Sequence, residues 1–351
     1  MFEADVQDIT QLVSTGALPG TGEIELLLAQ AFARYAGTRE GDVADYIPVL
    51  GAADPDWFGL SLTTADGRSH SLGDSGLEFS IQSISKAFVY ALVCDALGHE
   101  VVHERVGVNN TGLPFNSVVA LELNDGSPMN PMVNAGAIAT TALVHNDPAA
   151  RWDAIQRGLS AFAGRELAVD EEVFGSEMLT NQRNRAIANL LASYGRVDPD
   201  PLEVVETYTK QCSLSVSAAD LSVMGATLAD GGVNPITGRR VVSAQAARDT
   251  LAVLASCGMY ERSGEWLFEI GLPAKSGVSG GILAVAPGKG ALAAFSPPLD
   301  AAGNSVRGQR VCAFLSRALG LNLFASAPSV AEDSGSREAA TVAPASSRRD
   351  L

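Results

Sequence analysis

Phe79-Ser80-Ile81-Gln82-Ser83-Ile84-Ser85-Lys86 is the stretch on which the reading of this chain turns. An apolar run continues through Val93 and stops at Gly98, which predicts a helix over residues 83–97. Ser83 and Lys86 then share one face near the start of that helix, where spare backbone N–H groups and the positive dipole end also gather. A serine hydroxyl is a weak nucleophile until a neighbouring base takes its proton, and a lysine serves as that base if burial lowers its pKa. The spacing alone is a weak signal, because such pairs also arise on solvated helix faces. Two facts strengthen it. The flanking residues are apolar, so Lys86 is expected to be buried. Lysine is also scarce: of 24 basic residues, only Lys86, Lys210, Lys275 and Lys289 are lysine. Arginine carries the generic positive charge of this chain, and the one task it cannot take over is to give up a proton.

Lys275 opens a second motif, Lys275-Ser276-Gly277, on a predicted strand of residues 274–278. S-x-x-K followed far downstream by K-S-G is the order found in penicillin-recognising serine enzymes. The small residues after Lys275 let a substrate approach the strand backbone. Outward from these motifs, residues 57–62 and 68–72 read as strands around a turn at Ala65-Asp66-Gly67, and residues 281–285 and 291–295 as a late pair of strands. Helices are expected over residues 22–35, 135–144, 149–162, 178–193, 201–211, 244–254 and 306–319, and after an N-cap at Ser217 as far as Ala229. Strands near both ends with helices between them are not the alternation of a doubly wound sheet. The order fits an α+β fold: an antiparallel sheet joining N- and C-terminal strands, flanked by helices, with a helical lobe. Residues 1–325 are expected to form the catalytic domain. Residues 326–351, rich in Ser, Ala, Pro and charge, are expected to be a disordered tail.

Composition narrows the function. The formal net charge of -16 repels nucleic acid and anionic membrane alike. No apolar stretch reaches membrane-span length. Residues 1–9 carry Glu3, Asp5 and Asp8 rather than the basic and apolar segments of a secretory leader, so a cytoplasmic protein is expected. Cys94, Cys212, Cys257 and Cys312 are scattered and read as reduced core residues. His70, His99, His103 and His145 show no zinc spacing, so neither a metal nor another cofactor is expected.

The chain resembles the β-lactamase-like glutaminases, serine-dependent enzymes found in bacteria and as the catalytic domain of animal enzymes. The matching words are Asp45-Tyr46-Ile47-Pro48, Gln82-Ser83-Ile84-Ser85-Lys86, Asn130-Pro131-Met132-Val133-Asn134-Ala135-Gly136-Ala137-Ile138, Cys257-Gly258-Met259-Tyr260, Gly271-Leu272-Pro273-Ala274-Lys275-Ser276-Gly277-Val278 and Phe295-Ser296-Pro297-Pro298-Leu299-Asp300. They occur in the family's order over roughly residues 22–319.

The resemblance implies a β-lactamase/transpeptidase-like fold and hydrolysis of L-glutamine to L-glutamate and ammonia. Ser83 would be the nucleophile, forming a glutamyl-serine ester, and Lys86 its base. Tyr46 and Tyr260 match family tyrosines beside the nucleophile. The backbone N–H groups of Ser83 and Val278 match an oxyanion hole. Glu177 is implied as partner of the substrate ammonium, with Asn134, Asn184 and Tyr208 lining the same pocket and Gln82 supporting it. Seven residues separate Glu177 from Asn184, two helical turns, which lets both point one way. Homodimers or homotetramers are common in the family and are implied here too. The alternative is another serine acyl hydrolase of the same fold: a β-lactamase, a peptidase or an esterase.

Overall fold

The computed structural model describes residues 3–14 and 17–327. Residues 328–351, most of the expected tail, lie outside the described residues. Five strands, β1 (Gly59–Thr64), β2 (Ser69–Gly73), β5 (Ala274–Ser276), β6 (Gly281–Ala286) and β7 (Gly290–Phe295), form one sheet in the order β2-β1-β7-β6-β5. Every neighbouring pair is antiparallel, and β1 from the N-terminal part pairs with β7 from the C-terminal part. A second sheet consists of β3 (Phe79–Ser80) and β4 (Ser215–Val216), two strands too short to leave a periodic trace in the sequence.

Side chains alternate across the large sheet, as the period of a strand requires. Leu283, Val285, Ala291, Ala293 and Phe295 face one core, shared with helices Ser85–Leu97 and Ala218–Ala229. Leu60, Leu62, Ile282, Ala284, Leu292 and Ala294 face the other, covered by helices Thr21–Tyr35 and Val306–Ala318. With both faces covered, β6 and β7 are buried along their whole length. A third core, built from helices Asn134–Ala142, Gln182–Ser193 and Pro201–Cys212, is the helical lobe. The α+β architecture read from the sequence is therefore the one observed.

Local differences have local causes. The first part of the expected helix over residues 83–97 is a 3-10 turn, Gln82–Ile84, and the α-helix proper starts at Ser85. The expected helix over residues 178–193 is two helices, Glu171–Thr180 and Gln182–Ser193, broken at Asn181. Asn181 is buried, its amide nitrogen reaches Thr209 Oγ1 at 3.3 Å, and its Oδ1 accepts from Arg185 Nε at 2.7 Å. These side-chain bonds hold the backbone away from helical geometry there. Ser217 caps helix Ala218–Ala229 through a reciprocal box with Asp220, as its sequence position predicts.

The small sheet couples the large one to the segment that carries Ser83. Phe79 lies flat on Phe295 with ring centroids 4.0 Å apart, and Ile81 N–H donates to Leu214 O at 2.8 Å. Phe295 is 1% exposed. Its truncation leaves a cavity under the strand that leads into Ser83. Phe295→Ala is expected to cost about 3–5 kcal/mol of stability, measured by urea denaturation, because the rigid sheet cannot close over the gap.

Candidate active site

The 3-10 turn that carries Ser83 is forced into place from both sides. Gln82 has φ +51, a left-handed conformation that a non-glycine residue holds only when its surroundings impose it. The imposing contacts are from its amide, which donates to Glu177 Oε1 at 2.6 Å and to Ser80 Oγ at 3.0 Å. Gly277, in the loop after β5, backs onto this turn, and a Cβ there would meet Ile81 O at 3.1 Å. The turn presents Ser83 to a cavity of about 190 Å³ whose walls include Tyr46, Gln82, Asn134, Glu177, Asn184, Tyr208 and Val278. Eight of the side chains singled out from the sequence thus meet in one place, from segments far apart in the chain.

Lys86 and Tyr260 stand just behind that wall. Lys86 is 1% exposed. Its Nζ donates to Asn134 Oδ1 at 2.7 Å and to Met132 O at 3.2 Å, and Ser83 is not among its hydrogen-bond partners. The rings of Phe115 and Tyr208 flank it with centroids at 5.8 and 5.9 Å. No carboxylate compensates its charge, and burial pulls its pKa from 10.5 down to about 8. That displacement weighs about 3 kcal/mol against the charged amine. It exceeds the ~0.5–2 kcal/mol by which aromatic faces favour a cation, so desolvation decides. Asn134 then passes the network on: its Nδ2 donates to Asn184 Oδ1 at 2.9 Å.

Tyr260 also has positive φ, +54, at the end of helix Ala244–Cys257. Gly258 precedes it so closely to Ala274 O that no side chain fits. Tyr260 donates its proton to Ser276 O at 3.2 Å and is close enough to Ser83 for that hydroxyl to favour its ionised form slightly. Burial pushes its phenol far above the usual range, so it stays protonated. Lys275, singled out by its motif, lies under the Tyr260 ring, 4.4 Å from its centroid. Its Nζ is held by Gly258 O and Ser276 O, each at 2.9 Å. Burial and the nearby Lys86 depress its pKa strongly.

Glu177 sits opposite. Burial raises its carboxyl to about 7, partly offset by the Gln82 hydrogen bond. Glu177 and Asn184 are on separate helices, so the two-turn spacing is not what aligns them; the break at Asn181 is. Tyr46 comes from a loop pinned by the Asp42–Leu299 pairing. Although the residue as a whole is 60% exposed at the mouth, partial desolvation of its hydroxyl end and the nearby Glu177 raise the phenol above its usual range. Among the described residues, the Val278 N–H has no acceptor, while its neighbours Gly277 and Gly280 are bonded to Gly281 O and Gly277 O. The sequence reading passed over Phe115, which carries no periodic or motif signal. It lines this cavity, packs against Tyr260 at 4.9 Å and flanks Lys86. Among the described residues, no group of three or more His, Cys, Asp or Glu could hold a metal ion.

Residues 41–324 match the family model described as Glutaminase. The chain belongs to the glutaminase family. It is 50% identical over 321 residues to "Glutaminase 2" of Yersinia pestis, covering 91% of this chain and 94% of that protein. It is 53% identical over 285 residues to a Brucella canis glutaminase, covering 81% and 90%. Among solved structures, the probable glutaminase ybaS superposes with a TM-score of 0.86 at 45% identity, covering 87% of this chain and 99% of that one. Mglu in its glutamate form superposes with a TM-score of 0.83 at 41% identity, covering 87% and 71%.

Burying an amine that has no carboxylate partner costs stability. Lys86→Met fills the same space without the amine. It is expected to match or exceed the parent in thermal unfolding temperature at pH 7 while lowering turnover at least about a thousandfold, as loss of such a group normally does.

Proposed function

We propose that this glutaminase hydrolyses L-glutamine to L-glutamate and ammonia through an acyl-enzyme on Ser83, with Lys86 as base. The observation that carries the reading is the pairing of a fully buried, carboxylate-free lysine one turn from the serine with a buried carboxylate across a cavity of amino-acid size.

A neutral amine has two N–H groups and one lone pair. Met132 O and Asn134 Oδ1 take the two N–H groups of Lys86. The lone pair is left for the proton of Ser83, one turn away. With a pKa of about 8, roughly a tenth of Lys86 is neutral at pH 7. Ser83 Oγ attacks the side-chain amide carbon. The free N–H of Val278, with that of Ser83, receives the negative charge that develops on oxygen. The phenol of Tyr260, kept protonated by burial, gives its proton to the departing nitrogen and takes in return the proton that Lys86 removed from Ser83. Water then cleaves the ester by the same route in reverse. Glu177 takes the substrate ammonium, and Asn134, Asn184, Tyr208 and the exposed Tyr46 complete the pocket.

No described helix is long and apolar enough to cross a membrane. A cytoplasmic location belongs to the same reading and is supported by four free, buried cysteines. Assembly into homodimers or homotetramers rests on the family resemblance.

In an ammonia-release assay, the chain is expected to turn over L-glutamine and leave nitrocefin intact; the opposite result would assign it to the β-lactam side of the fold. Ser83→Ala is expected to retain less than about a thousandth of kcat. A glutamine-derived diazoketone should label the parent at position 83 by peptide mass mapping. As pH falls through about 7, Glu177 takes a proton and loses its hold on the substrate ammonium, so KM rises. In Glu177→Gln, KM should be high and flat over the same range.

A further inference from the structure

Three cavities meet at one side chain. Phe115 lines the substrate cavity of about 190 Å³. It also lines a larger vestibule of about 710 Å³ that shares Tyr46, Asn116 and Val278 with it and carries Glu40, Asp42 and Asp300. A third cavity, about 210 Å³, lies on the far side of Tyr260 and again includes Phe115. Phe115 is therefore common to all three walls. Its ring also flanks Lys86 and leans on Tyr260. The other ring flanking the amine, Tyr208, is anchored in helix Pro201–Cys212, and the amine's hydrogen-bond acceptors are backbone at Met132 and the first residue of helix Asn134–Ala142. Phe115 and Met132 come from turns, and of the two only Phe115 offers its side chain to the amine.

We infer that Phe115 is the positioning residue that keeps water off Lys86 by walling the substrate cavity from the two neighbouring spaces. The inference rests on the reading of Lys86 as base. A bulky apolar side chain at this junction excludes solvent from the amine; a small one joins the three spaces and hydrates it. Hydration favours the ammonium form. The loss of the ring's own attraction for a cation acts the other way and is the weaker effect.

The other titratable groups facing Lys86 do not mask this. Tyr208 and Cys212, from helix Pro201–Cys212, are pushed up by burial, Cys212 to about 12. Tyr260 is likewise raised, and Lys275, from β5, is strongly depressed. Tyr208, Cys212 and Tyr260 are neutral across the range in which Lys86 titrates, and burial drives Lys275 towards its neutral form. Glu177, near 7, is the exception. In the complex it is paired with the substrate ammonium, so kcat at saturating glutamine reports Lys86.

The experiment is the pH profile of kcat at saturating L-glutamine for the parent, Phe115→Leu and Phe115→Ala, with circular dichroism to verify folding. The parent should show an acid limb near 8. In Phe115→Ala the limb should move up by about one pH unit, so that activity falls about tenfold at pH 7 and recovers towards the parent by pH 9.5. Phe115→Leu, apolar and bulky, should keep the parental limb. Phe115→Val offers the graded case, with a smaller displacement, should Phe115→Ala not fold. Loss by the same factor at every pH, an unmoved limb, or a leucine variant displaced as far as alanine would each overturn the inference. A parent that turns over glutamine with no limb near 8 would instead remove Lys86 as base, and a parent inert towards glutamine would remove the proposed function itself.

Discussion

An amine without a counter-ion, sealed from water, is the constraint around which this molecule is arranged. Water would hold Lys86 as an ammonium, useless for taking a proton. The fold denies it water with Phe115 and Tyr208, denies it a carboxylate, and gives its two N–H groups fixed acceptors in Met132 O and Asn134 Oδ1. The carboxylate the site does contain, Glu177, is held on the opposite wall and bonded to Gln82. Had Glu177 stood beside Lys86, each would have stabilised the other's charge, and the roles proposed for the two would be lost.

Everything that frames Ser83 follows from holding that separation. Gln82 is bent into a left-handed conformation so that its side chain reaches Glu177 while its neighbour faces the cavity. Tyr260 is bent likewise, and Lys275 ties the flanking backbone at Gly258 and Ser276. Two of the three non-glycine residues with positive φ among those described therefore sit at the site. Strain concentrated in this way needs a stiff frame, supplied by a sheet buried on both faces and by the Phe79–Phe295 stack.

Much of this was legible in the sequence, and the limits have physical reasons. Strand alternation and helix caps announce themselves locally, so β1, β2, β6, β7 and the Ser217 cap could be read directly. The scarcity of lysine singled out Lys86 and Lys275, but it gave Lys275 no partner, and the structure sets it under Tyr260. Which way a strand residue faces depends on pairing partners that spacing does not reveal. The helix break at Asn181 was missed because its cause, a bond to Thr209, lies 28 residues away. Phe115 was missed because an irregular segment has no period to betray what it packs against.

One quieter feature bears on how long the site keeps its shape. Between helix Ala218–Ala229 and the sheet, Ser222 Oγ meets Ser61 Oγ at 2.9 Å and Thr63 Oγ1 at 2.7 Å, and these two pass the contact on to Ser71 and Ser69 of β2. Greasy surfaces glide past one another at little energetic cost, whereas directional hydroxyl contacts are lost when the surfaces shift. The trio therefore works as a detent: it indexes the helix against the strands at one setting. Because β7 runs from that layer to Phe295 beneath the segment that leads to Ser83, slippage at the back of the molecule is stopped before it can travel to the front.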